Sequence, residues 1–81
     1  MPNGIKGKEE QMEKFDARIV RRNMIFLREK AGMTQQNVAD ALKTSRQNII
    51  KWEQDPGRTK AYIFRNLADL YLCNISDFFK A

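Results

Sequence analysis

Two helix-capping residues stand close together in the middle of this chain, and they limit its fold more than any other feature. The hydroxyl groups of Thr34 and Ser45 can each accept a hydrogen bond from the first turn of a following helix. After the first cap, apolar residues recur at helical spacing at Val38, Ala39 and Leu42. Because only residues 43 and 44 separate this short helix from the second cap, the two helices cannot fold back antiparallel and must cross steeply. That crossing is the geometry of a helix-turn-helix.

A longer helix is predicted before this pair. We predict a main helix over residues 16–30 with Asp16 as its cap, although the helical pattern can also begin near residue 9. Gly32 ends it, because a residue without Cβ easily adopts the left-handed conformation. One face of this helix carries four apolar residues: Val20, Met24, Leu27 and Ala31. Others widen this stripe toward a neighbouring helix or a partner chain: Met12, Phe15, Ile19 and Phe26.

The third helix, from the segment TSRQNIIKWEQ at residues 44–54, has two different sides. With successive residues about 100° apart, the side expected to anchor the helix in a core carries Asn48, Ile49 and Trp52. The opposite side carries Arg46, Gln47, Ile50, Lys51 and Gln54. The sequence therefore predicts a helix with one buried face and one face free for binding.

The remainder of the chain completes an all-α fold. The segment DPGRTK, residues 55–60, predicts a loop with two basic residues. A fourth helix is indicated by the spacing of Tyr62, Ile63, Leu67, Leu70 and Tyr71, and a last turn or short helix by NISDFF with Phe78 and Phe79. We predict a small bundle of about five helices without strands.

The chain is long enough for one domain. With 81 residues, a single marginal core is possible and a second domain is not. Pro2, Gly4 and Gly7 among the first residues, together with lysines, predict a segment that buries too little to repay ordering. We therefore assign residues 1–15 to a flexible arm, with a possible start of the first helix, and residues 16–81 to the helix-turn-helix domain.

Composition excludes several classes of function. A net charge of +5 and a pI near 9.7 favour polyanionic partners. Histidine is absent, and the single cysteine, Cys73, can form no intramolecular disulfide, so we expect a reducing compartment, no metal and no cofactor. Without a histidine to activate Cys73, and without clustered carboxylates or a glycine-rich phosphate loop, we predict no enzyme activity. No apolar run approaches the roughly 20 residues of a membrane span, so we expect a cytoplasmic protein.

The segment LREKAGMTQQNVADALKTSRQNIIKWEQ resembles the helix-turn-helix of the phage repressor and Cro family, also called Xre-type. The resemblance extends over roughly residues 17–79, and its last part is LADLYLCNISDFF. The matching positions are Leu27, Arg28, Gly32, Thr34, Gln35, Ala39, Ser45, Ile49, Trp52 and Glu53. The family usually has glycine at two places that hold Lys43 and Leu72 here. A left-handed residue other than glycine costs on the order of 1 kcal/mol, so these turns can still form.

The resemblance implies roles for individual residues. Arg46 and Gln47 would contact base edges in the major groove, since arginine pairs with guanine and glutamine with adenine through two hydrogen bonds. Lys51 would reach a base or a phosphate, and Ile50 either meets a thymine methyl group or packs at the rim of the core. The residues implied to contact the DNA backbone are Thr34, Gln35, Ser45, Arg58, Thr59 and Lys60. For the loop cations among them, a solvated role is nearly as plausible.

Other positions are implied to be structural. In the family, the residues at Arg28 and Glu53 form a partly buried ion pair that fixes the angle of the recognition helix. Gln35 matches a glutamine that binds the DNA backbone and in some members also braces that helix. Cys73 falls at a position usually taken by a small apolar residue, so we expect it in the core.

Two functions follow as hypotheses. The resemblance implies a sequence-specific double-stranded DNA-binding regulator of transcription, with a repressor bound as a homodimer to an inverted repeat as the leading form. The alternative is an antitoxin or regulatory partner in a two-protein operon, using the apolar stripe of the first helix or Phe78 and Phe79 to contact another protein. The two hypotheses are compatible, because such partners often keep a DNA-binding face.

Overall fold

The computed structural model describes residues 15–81, and every regular element in that range is helical, which confirms the predicted all-α fold. Except for Phe15, the proposed flexible arm lies outside the described residues. The four α-helices are α1 (Ala17–Lys30), α2 (Gln35–Ala41), α3 (Arg46–Gln54) and α4 (Ala61–Tyr71). Two 3₁₀ helices follow α3 and α4, at Pro56–Arg58 and Ile75–Phe79.

Helix α1 begins and ends close to the predicted residues. Its first turn is capped by Asp16, whose carboxylate accepts a hydrogen bond from the backbone N–H of Arg18 at 2.9 Å. Gly32 has a φ of 73°, so it takes the left-handed conformation just after the helix. The prediction that Ala31 belongs to the buried stripe is wrong: this residue is exposed, because the helix ends at Lys30 and the chain turns away there.

The turns around α2 explain how α2 and α3 come to cross. Thr34 and Asn37 form a reciprocal capping box at the start of α2. The backbone N–H of Thr34 donates to Asn37 Oδ1 at 2.9 Å, and the backbone N–H of Asn37 donates to Thr34 Oγ1 at 3.0 Å. After α2, Lys43 has a φ of 55°, and the N–H of Thr44 donates to the carbonyl of Ala39. This one left-handed residue reverses the chain within the short predicted linker and leads it directly into α3.

The core contains residues from all four α-helices and from the last 3₁₀ helix, which packs against α1 and α4. Phe78 is fully buried at its centre, with its ring centroid 5.5 Å from that of Phe64 and 6.3 Å from that of Tyr71. The amide of Asn23 in α1 donates to the carbonyls of Phe78 and Lys80 at 2.9 and 2.7 Å, which holds the end of the chain against α1. Other buried core residues are Val20, Met24, Val38, Ala39, Ile49, Ile63, Leu67 and Ala68.

Several apolar residues of the predicted helices lie at the edge of the core or outside it. Tyr62 and Phe79 are exposed, because neighbouring helical positions point about 100° to 120° apart and the adjacent Ile63 and Phe78 occupy the core. Partial burial is found for Leu27, Trp52, Leu70 and Cys73, which pack against the core without being enclosed by it. Local spacing predicts which side of a helix faces inward, but the depth of burial depends on the neighbouring helices.

Helix α4 ends at Tyr71 and is followed by its capping residue Leu72, the second non-glycine residue with a positive φ in the described range. Its φ of 57° and ψ of 46° are left-handed, and the N–H groups of Leu72 and Cys73 donate to carbonyls of the last helical turn. A left-handed leucine costs roughly 1–2 kcal/mol. Leu72 is 91% exposed, so packing against the other described residues does not offset this cost.

Candidate nucleic-acid interface

Helix α3 is anchored in the protein by one apolar and one charged residue. Ile49 is 1% exposed and packs in the core, and Glu53, one turn later on the same face, is 4% exposed. Both side chains point inward at the i, i+4 spacing of one helical face. The anchoring face of α3 is therefore centred on Ile49 and Glu53.

The carboxylate of Glu53 joins three helices. Its Oε2 accepts a hydrogen bond from Arg28 Nε of α1 at 2.7 Å, and its Oε1 accepts one from Gln35 Nε2 of α2 at 3.1 Å. Arg28 also donates from Nη1 to the carbonyl of Met33, 3.0 Å away, in the turn before α2. A buried charge is tolerated only when its hydrogen-bonding groups have partners, and this network supplies them. The network fixes α3 relative to both α1 and α2.

The Glu53 carboxylate also affects a neighbouring phenol. Burial, together with the negative charge of Glu53, raises the pKa of Tyr71. Tyr71 is therefore neutral at physiological pH and serves the core as an aromatic residue.

The opposite face of α3 carries the predicted base-contacting side chains. Gln47, Lys51 and Gln54 are exposed, and Ile50 is half-buried beside them. Ile50 is only partly buried, so part of its aliphatic side chain remains exposed on this face. The outward face thus offers amide and ammonium donors around one aliphatic side chain.

Asn48 does not anchor α3 as its helical position predicted. It is exposed, and its side-chain Nδ2 donates to the Thr44 hydroxyl at 2.7 Å. Asn48 lies about 100° around the helix from the buried Ile49, which turns it away from the core. It belongs to the surface beside the binding face.

Arg46 occupies one flank of α3. It is exposed and lines an open groove of about 580 Å³ together with Thr34, Gln35 and Gln36 from the start of α2. The Thr34 hydroxyl accepts a hydrogen bond within the capping box, and its own O–H remains a free donor. This flank combines a guanidinium with the first turn of α2.

The other flank of α3 is a second groove, of about 240 Å³, between the second half of α3 and the start of α4. Lys51, Arg58 and Lys60 supply three cations to its wall. Asn48 and Tyr62, which helical spacing predicts to face the core, also line it. Tyr62 is the second residue of α4 and directly precedes the buried Ile63, so its side chain points away from the core.

Two predicted backbone-contacting hydroxyl groups differ in what they can donate. The Ser45 hydroxyl accepts from the N–H of Asn48 at 3.2 Å and keeps its own O–H free. The Thr59 hydroxyl donates to the carbonyl of Asp55 at 3.2 Å, and its N–H donates to the carbonyl of Pro56. Phosphate oxygens only accept, so Thr59 has no donor left for them in this arrangement. It braces the loop that carries Arg58 and Lys60.

The exposed cations on both flanks of α3 have no carboxylate partner among the described residues. Among residues 15–81, Arg46, Lys51, Arg58 and Lys60 form no ion pair, and all four are exposed. In the same range, no cluster of side chains suited to a metal ion is found, and no described helix is long and apolar enough to cross a membrane. The surface around α3 therefore combines unpaired positive charge with hydrogen-bond donors, the chemistry that suits phosphate groups and base edges.

The helical arrangement corresponds to a known family. A family model described as helix-turn-helix matches residues 26–78, from the second half of α1 to the last 3₁₀ helix. No curated protein and no solved structure matches the chain.

Proposed function

Because the chain belongs to the Xre-type helix-turn-helix family of DNA-binding regulators, we propose that it reads one duplex sequence through α3 and represses transcription as a homodimer on an inverted repeat. The observation that carries this proposal is the arrangement around α3. One exposed helical face, anchored from behind by Ile49 and Glu53, lies between two grooves. The exposed cations of these grooves, Arg46 on one side and Lys51, Arg58 and Lys60 on the other, form no ion pair with any described residue.

Base readout is the task of the outward face. With α3 in the major groove, Gln47 and Lys51 meet base edges directly, and Ile50 offers an aliphatic surface to a thymine methyl group. Arg46 stands in the first turn of α3, where it can pair with guanine O6 and N7. These four residues are the proposed determinants of sequence preference.

Backbone contacts come from the two flanks. Thr34 and Ser45 keep a free hydroxyl hydrogen, and Gln35 keeps a second amide hydrogen after bracing Glu53. On the other side of α3, Arg58 and Lys60 place positive charge near the phosphates of a neighbouring DNA strand. Such contacts set the position of a protein on DNA and provide most of its salt-dependent affinity.

The dimer follows from the size of the readout. One short helix reads only a few base pairs, so useful selectivity requires two copies on half-sites about 10 base pairs apart, one turn of B-DNA. Bound across a promoter, such a dimer excludes polymerase by occupancy.

Selection of binding sites from random duplexes tests the proposal. We expect enrichment of an inverted repeat with that spacing, because the two α3 helices of a two-fold dimer face the same side of the duplex. Enrichment of single half-sites would contradict the dimer, and no enrichment at all would contradict sequence-specific binding.

A second candidate role is pairing with a different protein. It is favoured by exposed aromatic residues away from α3: Phe26 is 58% exposed, and the half-exposed Phe15 and Phe79 have ring centroids 6.3 Å apart. Under this hypothesis Phe26→Ser weakens copurification with the product of a neighbouring gene and leaves DNA binding intact. Unchanged copurification, or no pairing by the parent, would remove this role.

A further inference from the structure

The side chain of Asn48 is exposed, and yet its orientation is fixed. Its Nδ2 donates to the hydroxyl oxygen of Thr44, four residues earlier in the chain, at 2.7 Å. Holding an exposed side chain in one rotamer costs conformational entropy, and a single hydrogen bond returns only a modest net gain in stability. The contact with Thr44 therefore determines where the amide points more than it stabilises the fold.

The position of Asn48 brings this amide to the edge of the outward face. Asn48 is the third residue of α3, and the first residues of a recognition helix are those that contact base edges. Residues three apart lie about 60° from each other around a helix, so Asn48 is a neighbour of Lys51. Both residues line the groove between α3 and α4. Asn48 thus lies between the face proposed to read bases and the cations proposed to contact phosphates.

The hydrogen-bonding groups left on the Asn48 amide differ from those of the cations beside it. After the bond to Thr44, Nδ2 keeps one hydrogen, and Oδ1 accepts from no described residue. A phosphate oxygen only accepts, so it would use the remaining hydrogen and leave Oδ1 without a donor. Adenine offers N7 as an acceptor and N6–H as a donor in the major groove, and an asparagine amide pairs with both. The free groups of Asn48 therefore suit adenine better than phosphate.

We propose that Asn48 is a specificity-determining residue that selects adenine at one position of the recognised sequence, and that Thr44 is the positioning residue that orients its amide. The inference rests on the proposed function and deepens it, since it adds one base to those assigned to Arg46, Gln47 and Lys51. The additional base is read from the flank of α3 that faces α4.

Parallel selection of binding sites by the parent and by Asn48→Ala tests the assignment. The parent is expected to enrich adenine at a position where Asn48→Ala accepts any base, and the other positions are expected to keep their preferences. On the duplex selected by the parent, Asn48→Ala should bind about 10-fold or more weakly. The variant still folds, because alanine keeps the backbone N–H that donates to the Ser45 cap, and its melting temperature should lie near that of the parent.

A base analogue identifies the atom that is read. Replacing the selected adenine with 7-deazaadenine removes the N7 acceptor, so the parent is expected to lose affinity and Asn48→Ala to lose none. Gln47→Ala is the matched control, because it keeps Asn48 and should lose affinity for the analogue as the parent does. An equal loss by the parent and by Asn48→Ala would show that another residue reads this base, which would overturn the proposal.

Two further variants separate base readout from a structural role. Asn48→Asp replaces the amide with a carboxylate, which accepts from cytosine N4, so the preferred base at this position is expected to change from adenine to cytosine. Thr44→Val removes the hydroxyl group at similar volume and is expected to cause a partial loss of the adenine preference without changing the preferred base. An Asn48→Asp variant that still prefers adenine would contradict direct pairing.

The inference and the proposed function can fail separately. A parent that enriches no sequence would contradict the proposed function and, with it, a reading role for Asn48. A parent that enriches a sequence whose preferences Asn48→Ala keeps at every position would leave the function standing and overturn the inference. A loss of affinity that is equal on all duplexes would place Asn48 at a phosphate and would also overturn it.

Discussion

Gln35 and Glu53 link the two helices of the helix-turn-helix directly: the amide nitrogen of Gln35 lies 3.1 Å from Oε1 of Glu53. The other oxygen of the same carboxylate accepts a hydrogen bond from Arg28. Glu53 therefore holds α3 against α2 and α1 at once, and the angle of the proposed recognition helix depends on one carboxylate with two donors.

Arg28→Ala is expected to lower the free energy of unfolding. The change leaves the buried Glu53 with one partner fewer, and removing one member of a buried pair typically costs about 3 to 5 kcal/mol. Chemical denaturation measures the loss. Arg21→Ala is the control, since the side chain of that arginine makes one exposed hydrogen bond within the described residues, to the carbonyl of Gln54. Equal stability of the two variants would show that the buried pair contributes little.

Gln35→Ala is expected to cost about 1.5 to 3 kcal/mol of unfolding free energy, the usual range for a hydrogen bond to a charged group. It should also weaken DNA binding, because α3 loses its brace on α2. Gln36→Ala removes the neighbouring glutamine, whose amide bonds only the exposed Asp40, and is expected to change stability far less. Denaturation curves and duplex titrations compare the two variants. Equal stability and equal DNA affinity of Gln35→Ala and Gln36→Ala would show that the hydrogen bond to Glu53 is unimportant.

Lys43→Gly is expected to stabilise the protein by about 0.5 to 1 kcal/mol. Removing the cost of a left-handed lysine raises the free energy of unfolding by roughly 1–2 kcal/mol. Glycine lowers it by roughly 0.5–1 kcal/mol, because the unfolded chain gains conformational entropy. Gly32→Ala tests the same physics with the opposite sign. A Cβ at Gly32 would meet no atom within 4 Å, so its expected cost of about 1 kcal/mol is conformational. Melts that shift both variants in the same direction would contradict this account.

Arg46→Ala is expected to relax sequence preference. It removes a side chain proposed to pair with a base, so it should cost about 1 to 3 kcal/mol on the selected site and leave random DNA nearly as well bound. Titrations of one selected and one random duplex give the comparison. An equal loss on both would mean that Arg46, which borders the groove at the start of α2, contacts phosphate instead.

Substitutions of the loop cations Arg58 and Lys60 are expected to affect DNA binding differently from Arg46→Ala. Arg58→Ala and Lys60→Ala are expected to weaken all duplexes about equally, and each is expected to lower the slope of log affinity against log salt by about one unit, because each removes one cation from a phosphate. Thr59→Val should leave that slope unchanged, because the Thr59 hydroxyl already donates to the Asp55 carbonyl. An unchanged slope after Arg58→Ala would place this side chain in solvent.

Stability is expected to fall in acid partly through the cap of α1. Hydrogen bonds from the backbone and side chain of Arg18 hold the pKa of Asp16 below its ordinary value of 3.8. A carboxyl with a lowered pKa contributes stability above its unfolded value and loses that contribution as pH falls through the folded value. Asp16→Asn keeps a capping side chain without the charge. At neutral pH, the melting temperature of this variant should therefore lie below that of the parent. In acid, below the ordinary pKa of the Asp16 carboxyl, the two melting temperatures should approach each other. A gap that persists in acid would contradict the electrostatic cause.

The parts of the fold that depend on local chemistry could be predicted from the sequence. The caps Asp16, Thr34 and Ser45 and the left-handed Gly32 require only the residues next to them, and the structure has each in that role. The depth of burial was harder to predict, because Tyr62 and Phe79 are apolar residues at helical spacing and yet are exposed, whereas the adjacent Ile63 and Phe78 are buried.

The residues of the candidate site differ in the same way. The outward face of α3 follows from helical periodicity, whereas the hydrogen-bond partner of Asn48 is Thr44, which lies outside the helix. The resemblance implied the contact between Arg28 and Glu53, and composition alone would not have predicted it. The hydrogen bond from the Thr59 hydroxyl to the Asp55 carbonyl depends on the shape of the loop, which the sequence does not specify.

The separation between the anchoring and outward faces of α3 has an evolutionary consequence. Ile49 and Glu53 hold the helix from behind, and Gln47 and Lys51 take no part in any described ion pair or side-chain hydrogen bond. Outward residues can therefore be exchanged without removing an anchoring contact. Under the proposed function, a lineage carrying this scaffold can acquire a new operator by a few substitutions on the outward face and keep the anchoring contacts of α3.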